Sequence, residues 1–146
     1  MLCDGDAALR LDTQLCFALY SASLAMNKVY RDCLKPLGIT YPQYLVLLVL
    51  WEQDQRSVSD IGEKLFLDSA TLTPLLKRME TAGWVERQRL ASDERVVMVG
   101  LTEPGRALKR QASAIPAKLL CQSGMAPKQA VALRDELRLL RDHLLR

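Results

Sequence analysis

The chain has few aromatic residues, 5% of its 146 positions, and a single histidine, His143. Leucine and alanine are abundant instead, which favours helix over strand. Its four cysteines, Cys3, Cys16, Cys33 and Cys121, include no C-x-x-C pair. That pattern excludes zinc-type ligand spacing and a dense disulfide framework, so no metal and no cofactor is expected. No apolar run is long enough to cross a bilayer, and the chain does not open on a basic segment followed by a hydrophobic one. No membrane partner and a cytoplasmic location are therefore expected. In such a reducing compartment the thiols start free, and any disulfide is transient and regulatory. The net charge of +3 permits a nucleic-acid partner without requiring one.

With 49% apolar and 25% charged residues, the composition is that of a single globular domain. Residues 12–35 read as a long helix, with Leu15, Leu19, Ala22, Met26, Val29 and Cys33 at alternating steps of four and three. Asp12 is its expected N-cap, and Pro36 with Gly38 its stop. A second helix opens at "ITYPQYLVLLVLWEQ", capped by Thr40 or Tyr41 with Pro42 just inside; its apolar centre, Leu45 to Trp51, is expected to be buried. A short helix over Val58–Leu65, capped by Ser57, precedes "LDSATLTPLLKRMETAG", a helix ended by Gly83. "WVERQRL" and "RVVMVGL" alternate as two strands around the turn "ASDE". A helix capped by Thr102 then runs to about Cys121, and a last helix covers about Lys128–Leu145.

This order makes a mainly α fold with a small β-hairpin, a winged helix-turn-helix over about residues 40–102. The helices at about 10–38 and 103–146 are extra to that module and carry apolar stripes too large for it to cover, so a homodimer joined through them is expected.

On the second helix of the motif, Leu72, Leu75, Leu76 and Met79 should face the core. That leaves Ala70, Thr71, Thr73, Pro74, Lys77, Arg78 and Thr81 outward, and makes Ser69, Thr71, Thr73, Lys77 and Arg78 the DNA-binding candidates of this helix. Short, hydroxyl and basic side chains suit a helix lying in a DNA major groove, although a solvated face has the same composition. Pro74 loses a backbone bond, so this helix either starts late or kinks. Arg87, Arg89 and Arg95 flank the hairpin tip, and Asp93 is spaced to fix the Arg95 guanidinium for a minor groove, or simply to salt-bridge a surface turn. Taken with the helix pair, the hairpin favours double-stranded DNA as partner.

The stretch "SDIGEKLFLDSATLTPLLKRMETAGWVERQRLASDERVVMVGLTEPG", with its D-x-R wing and L-T-x-x-G junction, resembles the MarR family of dimeric winged-helix repressors. "QLCFALYSASLAMNKVY" and "GITYPQYLVLLVLWE" resemble its OhrR branch, which senses organic hydroperoxides through a cysteine. The similarity runs from about residue 10 to near the end of the chain.

The resemblance implies that Cys16 is the redox-active thiol, that Tyr30 and Tyr41 support its thiolate, and that Cys121 is the resolving thiol of a two-cysteine subtype. Cys16 falls in the first turn of its helix, where unpaired N–H groups and the helix dipole favour a thiolate. Leu15, Phe17 and Leu19 around it suit an alkyl peroxide. On its residue type alone, a buried inert cysteine is the commoner case. Cys16 and Tyr30 lie 14 positions apart on one helix, roughly 21 Å at the standard rise, so a Tyr30–sulfur bond requires the partner subunit. Cys3 and Cys33 receive no role.

The function expected is thus a repressor that binds operator DNA as a reduced dimer and is released when organic hydroperoxide oxidises Cys16. The alternative is a MarR-type repressor released by a small aromatic ligand or by another oxidant such as hypochlorite or a quinone. A thiol peroxidase lacks an obvious general base, and a purely architectural DNA-binding protein would ignore oxidation.

Overall fold

The computed structural model describes residues 5–146, so Cys3 lies outside the described residues. The chain divides into two compact units, Met1–Gln111 and Ala112–Arg146. The first opens with α1 (Gly5–Ala8), a 3-10 turn at Leu11–Thr13, α2 (Leu15–Leu34) and α3 (Tyr41–Glu52). It continues with β1 (Arg56–Ser57), α4 (Val58–Leu65), α5 (Ser69–Ala82), β2 (Val85–Leu90), β3 (Asp93–Leu101) and α6 (Glu103–Ala112). The second holds α7 (Ile115–Ser123) and α8 (Pro127–Leu144). A helix pair, α4 and α5, followed by a hairpin, β2 and β3, is a winged helix-turn-helix in a mainly α chain.

The helix boundaries follow from their caps. Thr40 and Gln43 form a reciprocal capping box at the start of α3, which settles the choice between Thr40 and Tyr41. The Ser57 hydroxyl accepts from the Asp60 amide at 3.1 Å to start α4. The Asp68 carboxylate accepts from the Thr71 amide at 2.8 Å to start α5, and that bond holds its carboxyl below the usual range. Gly83 ends α5 with a φ of 90°, a left-handed conformation that glycine adopts without a Cβ penalty.

Several expectations are corrected. Asp12 does not cap α2: Arg10 holds its carboxylate at 3.2 Å within the 3-10 turn, and the N-cap position falls to Gln14. The helix expected to run from Thr102 to Cys121 is broken at Ser113–Ala114. Pro116 explains the break: it has no N–H for the Ala112 carbonyl, and it sits in the first turn of the next helix, where that loss costs least. The hairpin is part of a three-stranded antiparallel sheet, because Arg56 and Ser57 pair with Val99 and Met98. In addition, β3 begins at Asp93, so the turn is only Ala91–Ser92, with the register irregular at Arg89/Leu90. Pro74 does not make α5 start late: the helix runs from Ser69 to Ala82 through it, and both Pro74 and Ala70, whose carbonyl loses its N–H donor, are exposed.

The core gathers Leu34, Val46, Leu47, Leu50, Ile61, Leu72, Leu76, Met79, Val85 and Val99, all essentially inaccessible to solvent. Leu72, Leu75, Leu76 and Met79 are buried along α5 as its periodicity requires. The outer helices differ: α2 buries only Leu34, and α8 buries nothing.

Candidate functional site

On α5 the structure leaves Ser69, Ala70, Thr71, Pro74, Lys77, Arg78 and Thr81 exposed, with Thr73 half-buried. These side chains share the face opposite the buried leucines, so hydroxyl, small and cationic groups are presented together. On the wing, Asp93 holds Arg95 by a forked pair, Nε to Oδ1 at 3.1 Å and Nη2 to Oδ2 at 3.3 Å, and also accepts from the Arg95 amide at 3.1 Å. The Arg95 hydrogen bonds hold the Asp93 carboxyl below its usual range. The Arg95 side chain is nonetheless 91% exposed. Its guanidinium is oriented and still free on its outer edge.

Arg87 has a different part. Its side chain and its amide both donate to Glu80, at 3.1 and 3.0 Å, tying the wing to α5 and lowering the Glu80 pKa. Arg89 donates to the Glu94 carbonyl at 2.7 Å, across the hairpin tip. Of the three wing arginines, Arg87 is half-buried, whereas Arg89 and Arg95 are both exposed.

Cys16 lies on the first turn of α2, exposed, and Cys121 on the last turn of α7, also exposed; both are free thiols. Around Cys16, Leu15, Phe17, Leu19 and Tyr20 are exposed as well, Leu15 by 67%. Cys33 is free and half-buried.

At the other end of α2, Tyr30 stacks on Tyr41 with ring centroids 4.3 Å apart. The structure adds a third member that the sequence reading passed over: Tyr44, 5.8 Å from Tyr30 and 6.4 Å from Tyr41. Tyr41 and Tyr44 follow one another at i, i+3 on α3, so the signal was present in "YPQY". Burial, reinforced by Tyr41, Tyr44 and Cys33, pushes the Tyr30 phenol up to about 12. Burial also raises Tyr41, and burial together with Tyr41 raises Tyr44. All three stay protonated near neutral pH and act as O–H donors to an electron-rich partner.

Beside this cluster, the α2–α3 junction forms an open cleft of about 610 Å³ lined by Asn27, Arg31, Lys35, Ile39, Tyr41 and Pro42, among others. Among the described residues no group of His, Cys, Asp and Glu is arranged to hold a metal, and no single helix is long and apolar enough to cross a membrane.

The family model for the transcriptional regulators SarA/Rot matches residues 28–112. The HTH-type transcriptional regulator TtmR of Methylorubrum extorquens is 51% identical over 134 residues, 92% of this chain and 69% of that protein. The organic hydroperoxide resistance transcriptional regulator of Bacillus subtilis is 47% identical over 129 residues, 88% of each. Among solved structures, reduced AbfR bound to DNA matches with a TM-score of 0.80 at 37% identity, covering 97% of this chain and 99% of that one. Disulfide-formed AbfR matches with a TM-score of 0.68 at 39% identity over 97% of each.

Proposed function

Since the chain belongs to the MarR-type winged-helix transcriptional regulators, in their OhrR branch, we propose that it is a redox-sensing repressor that leaves DNA when organic hydroperoxide oxidises Cys16. It is a regulator of transcription and not an enzyme. The reduced form is a homodimer on operator DNA in the cytoplasm, with residues 10–38 and 103–146 supplying the dimer helices and 40–102 the DNA-binding region. Ser69, Thr71, Thr73, Lys77 and Arg78 meet the major groove, and Asp93 fixes Arg95 for the minor groove.

The observation that carries this reading is the separation of thiol and phenols on one continuous helix. Cys16 is exposed at the start of α2, and the tyrosine cluster sits at its end, roughly 21 Å away at the standard rise. Two α2 helices running past each other bring the thiol of one subunit to Tyr30 and Tyr41 of the other. The apolar side chains around Cys16 then become the wall of a shared pocket. Further support comes from the AbfR structures, which include a reduced DNA-bound form and a disulfide form, both similar to this chain.

In the proposed step the Cys16 thiolate attacks the outer peroxide oxygen. The O–O bond breaks, the alkoxide leaves as the alcohol after protonation, and Cys16 becomes a sulfenic acid. The Cys121 thiolate then attacks the Cys16 sulfur, hydroxide leaves as water, and a disulfide forms. Its pull on α7 is transmitted to the DNA-binding region.

The test titrates reduced protein with DNA from its own promoter region at fixed salt, before and after one equivalent of an organic hydroperoxide. Release of the wild type, recovery with dithiothreitol and retention by Cys16→Ser are expected. Cys121→Ser should become sulfenylated without forming the disulfide. Unchanged binding after peroxide overturns the reading. A repressor released by a small aromatic ligand is the second reading, favoured by the open cleft with Arg31 and Lys35 on its wall. In that case Cys16→Ser responds to ligand as the wild type does.

A further inference from the structure

The tyrosine cluster and the base of the wing are joined by one helix, α3. At its N-terminal end Tyr41 and Tyr44 pack with Tyr30. Seven residues along the same face, Trp51 meets Tyr44 edge-on, at 6.3 Å and 70°. The Trp51 indole N–H donates to the Gly105 carbonyl at 2.9 Å, a contact spanning 54 residues of sequence.

Gly105 stands where strand β3 turns into α6. A Cβ there would lie 2.1 Å from the Trp84 carbonyl, so the backbone of α6 rests directly on the start of the wing. Thr102 closes the same junction, its hydroxyl donating to the Gly83 carbonyl at 2.6 Å and accepting from the Gly105 amide at 3.1 Å. Just beyond the end of α3, the Asp54 carboxylate accepts from the Leu101 amide at 2.9 Å and pairs with Arg106 at 3.6 Å. Two side chains from one end of α3 therefore grip both sides of the β3–α6 turn.

Between these ends α3 is packed tightly, with Val46 and Leu47 at zero exposure and Leu50 at 1%. A close-packed helix displaced at one end carries that displacement to the other rather than absorbing it. We propose that Trp51 and Asp54 are positioning residues that transmit the arrangement of the Tyr30–Tyr41–Tyr44 cluster to the wing, so that cluster and DNA are coupled through α3. The inference rests on the proposed reading only in taking that cluster as the place where the signal arrives. The coupling itself is reciprocal and does not require the oxidant.

The first test is a double-mutant cycle on promoter-DNA affinity in the reduced protein, with Tyr30→Ala perturbing the cluster and Trp51→Phe keeping a ring while deleting the N–H. The effect of Tyr30→Ala should be reduced about fivefold in the Trp51→Phe background. Effects that multiply independently overturn the coupling. Trp84→Phe is the control, because the buried Trp84 Nε1 has no hydrogen-bond partner to lose; it should leave the Tyr30→Ala effect intact.

Since the chain has two tryptophans, Trp84→Phe also leaves Trp51 as the sole indole. Its emission should shift when DNA binds, and Tyr30→Ala should change that shift. A silent Trp51 overturns the proposal even if Trp51→Phe does not fold. Oxidation provides a separate arm. If the wild type keeps its DNA after peroxide, the redox reading fails while the cycle still decides the coupling. If wild type and Trp51→Phe release DNA equally, the coupling fails and the redox reading stands.

Discussion

Helices α2 and α3 follow one another in the chain and both are rich in apolar residues, yet α3 buries six residues and α2 only Leu34. On α3 the apolar side chains are spread around the helix and most meet protein, although Leu48, expected to be buried with the rest of the Leu45–Trp51 centre, is 39% exposed. On α2 they leave Leu15, Phe17, Leu19, Tyr20, Leu24 and Met26 open to solvent. The difference separates two uses of hydrophobicity. Helix α3 stabilises the fold of its own chain, whereas α2 presents an apolar surface that the proposed homodimer would cover. The candidate sensor thiol lies on the second kind of surface.

The contrast is sharpest for paired truncations. Leu47→Ala on α3 should cost about 2–5 kcal/mol, the usual range for a buried leucine, at every protein concentration. Leu19→Ala on α2 should instead give a loss that grows on dilution, seen by following urea unfolding across a concentration series. Equal, concentration-independent losses would break the comparison. Leu19→Glu goes further: sedimentation should show monomers with retained helical circular dichroism, since the side chain is exposed in the single chain.

The tyrosines sit where the two helices meet. Folded Tyr30 ionises at about 12, against an ordinary value of 10.0, and Tyr41 and Tyr44 are also raised. Between about pH 10 and 12 the unfolded chain therefore loses phenolic protons that the folded chain keeps. The stabilisation is complete below pH 10 and falls as pH rises through this window. Melting temperatures across the window, followed with phenolate absorbance, should show the fall, and Tyr30→Phe should flatten it.

The wing repeats the contrast on a smaller scale: Arg87 is bound to Glu80, and Arg95 is oriented but open. Arg95→Ala should weaken DNA binding about tenfold, the lower part of the range for a groove contact. Asp93→Asn should cost less, since it loosens the guanidinium without removing it. Arg87→Ala should act through stability and leave the salt dependence of binding unchanged.

Much of this architecture was legible because the local signals agreed with the packing. Ser57 and Gly83 mark helix ends, and the spacing of Leu72, Leu75, Leu76 and Met79 marks the buried face of α5. Asp12 misled because an adjacent arginine competes for its carboxylate, which the capping pattern ignores. Pro116 was passed over because the apolar character continues on both sides of it. Strand β1 is two residues long, too short to show alternation, and exists only because β3 is there to pair with it. The tyrosine cluster was half-visible: Tyr30 and Tyr41 rest on a resemblance, the spacing in "YPQY" sets Tyr44 beside Tyr41, and Tyr30 meets Tyr44 only when α2 folds against α3. Trp51 bonding Gly105 across 54 residues leaves no local trace at all.

The straight run of α2 from Cys16 to Tyr30 has a genetic consequence. If each sensor takes its sulfur from one chain and its phenols from the other, a gene carrying Cys16→Ser and a gene carrying Tyr30→Phe are both defective alone. Expressed together, they form mixed dimers in which one of the two sites has an intact thiol facing an intact tyrosine. Isolated mixed dimers should regain peroxide reactivity at that one site, and mixed dimers of either chain with one carrying both changes should not.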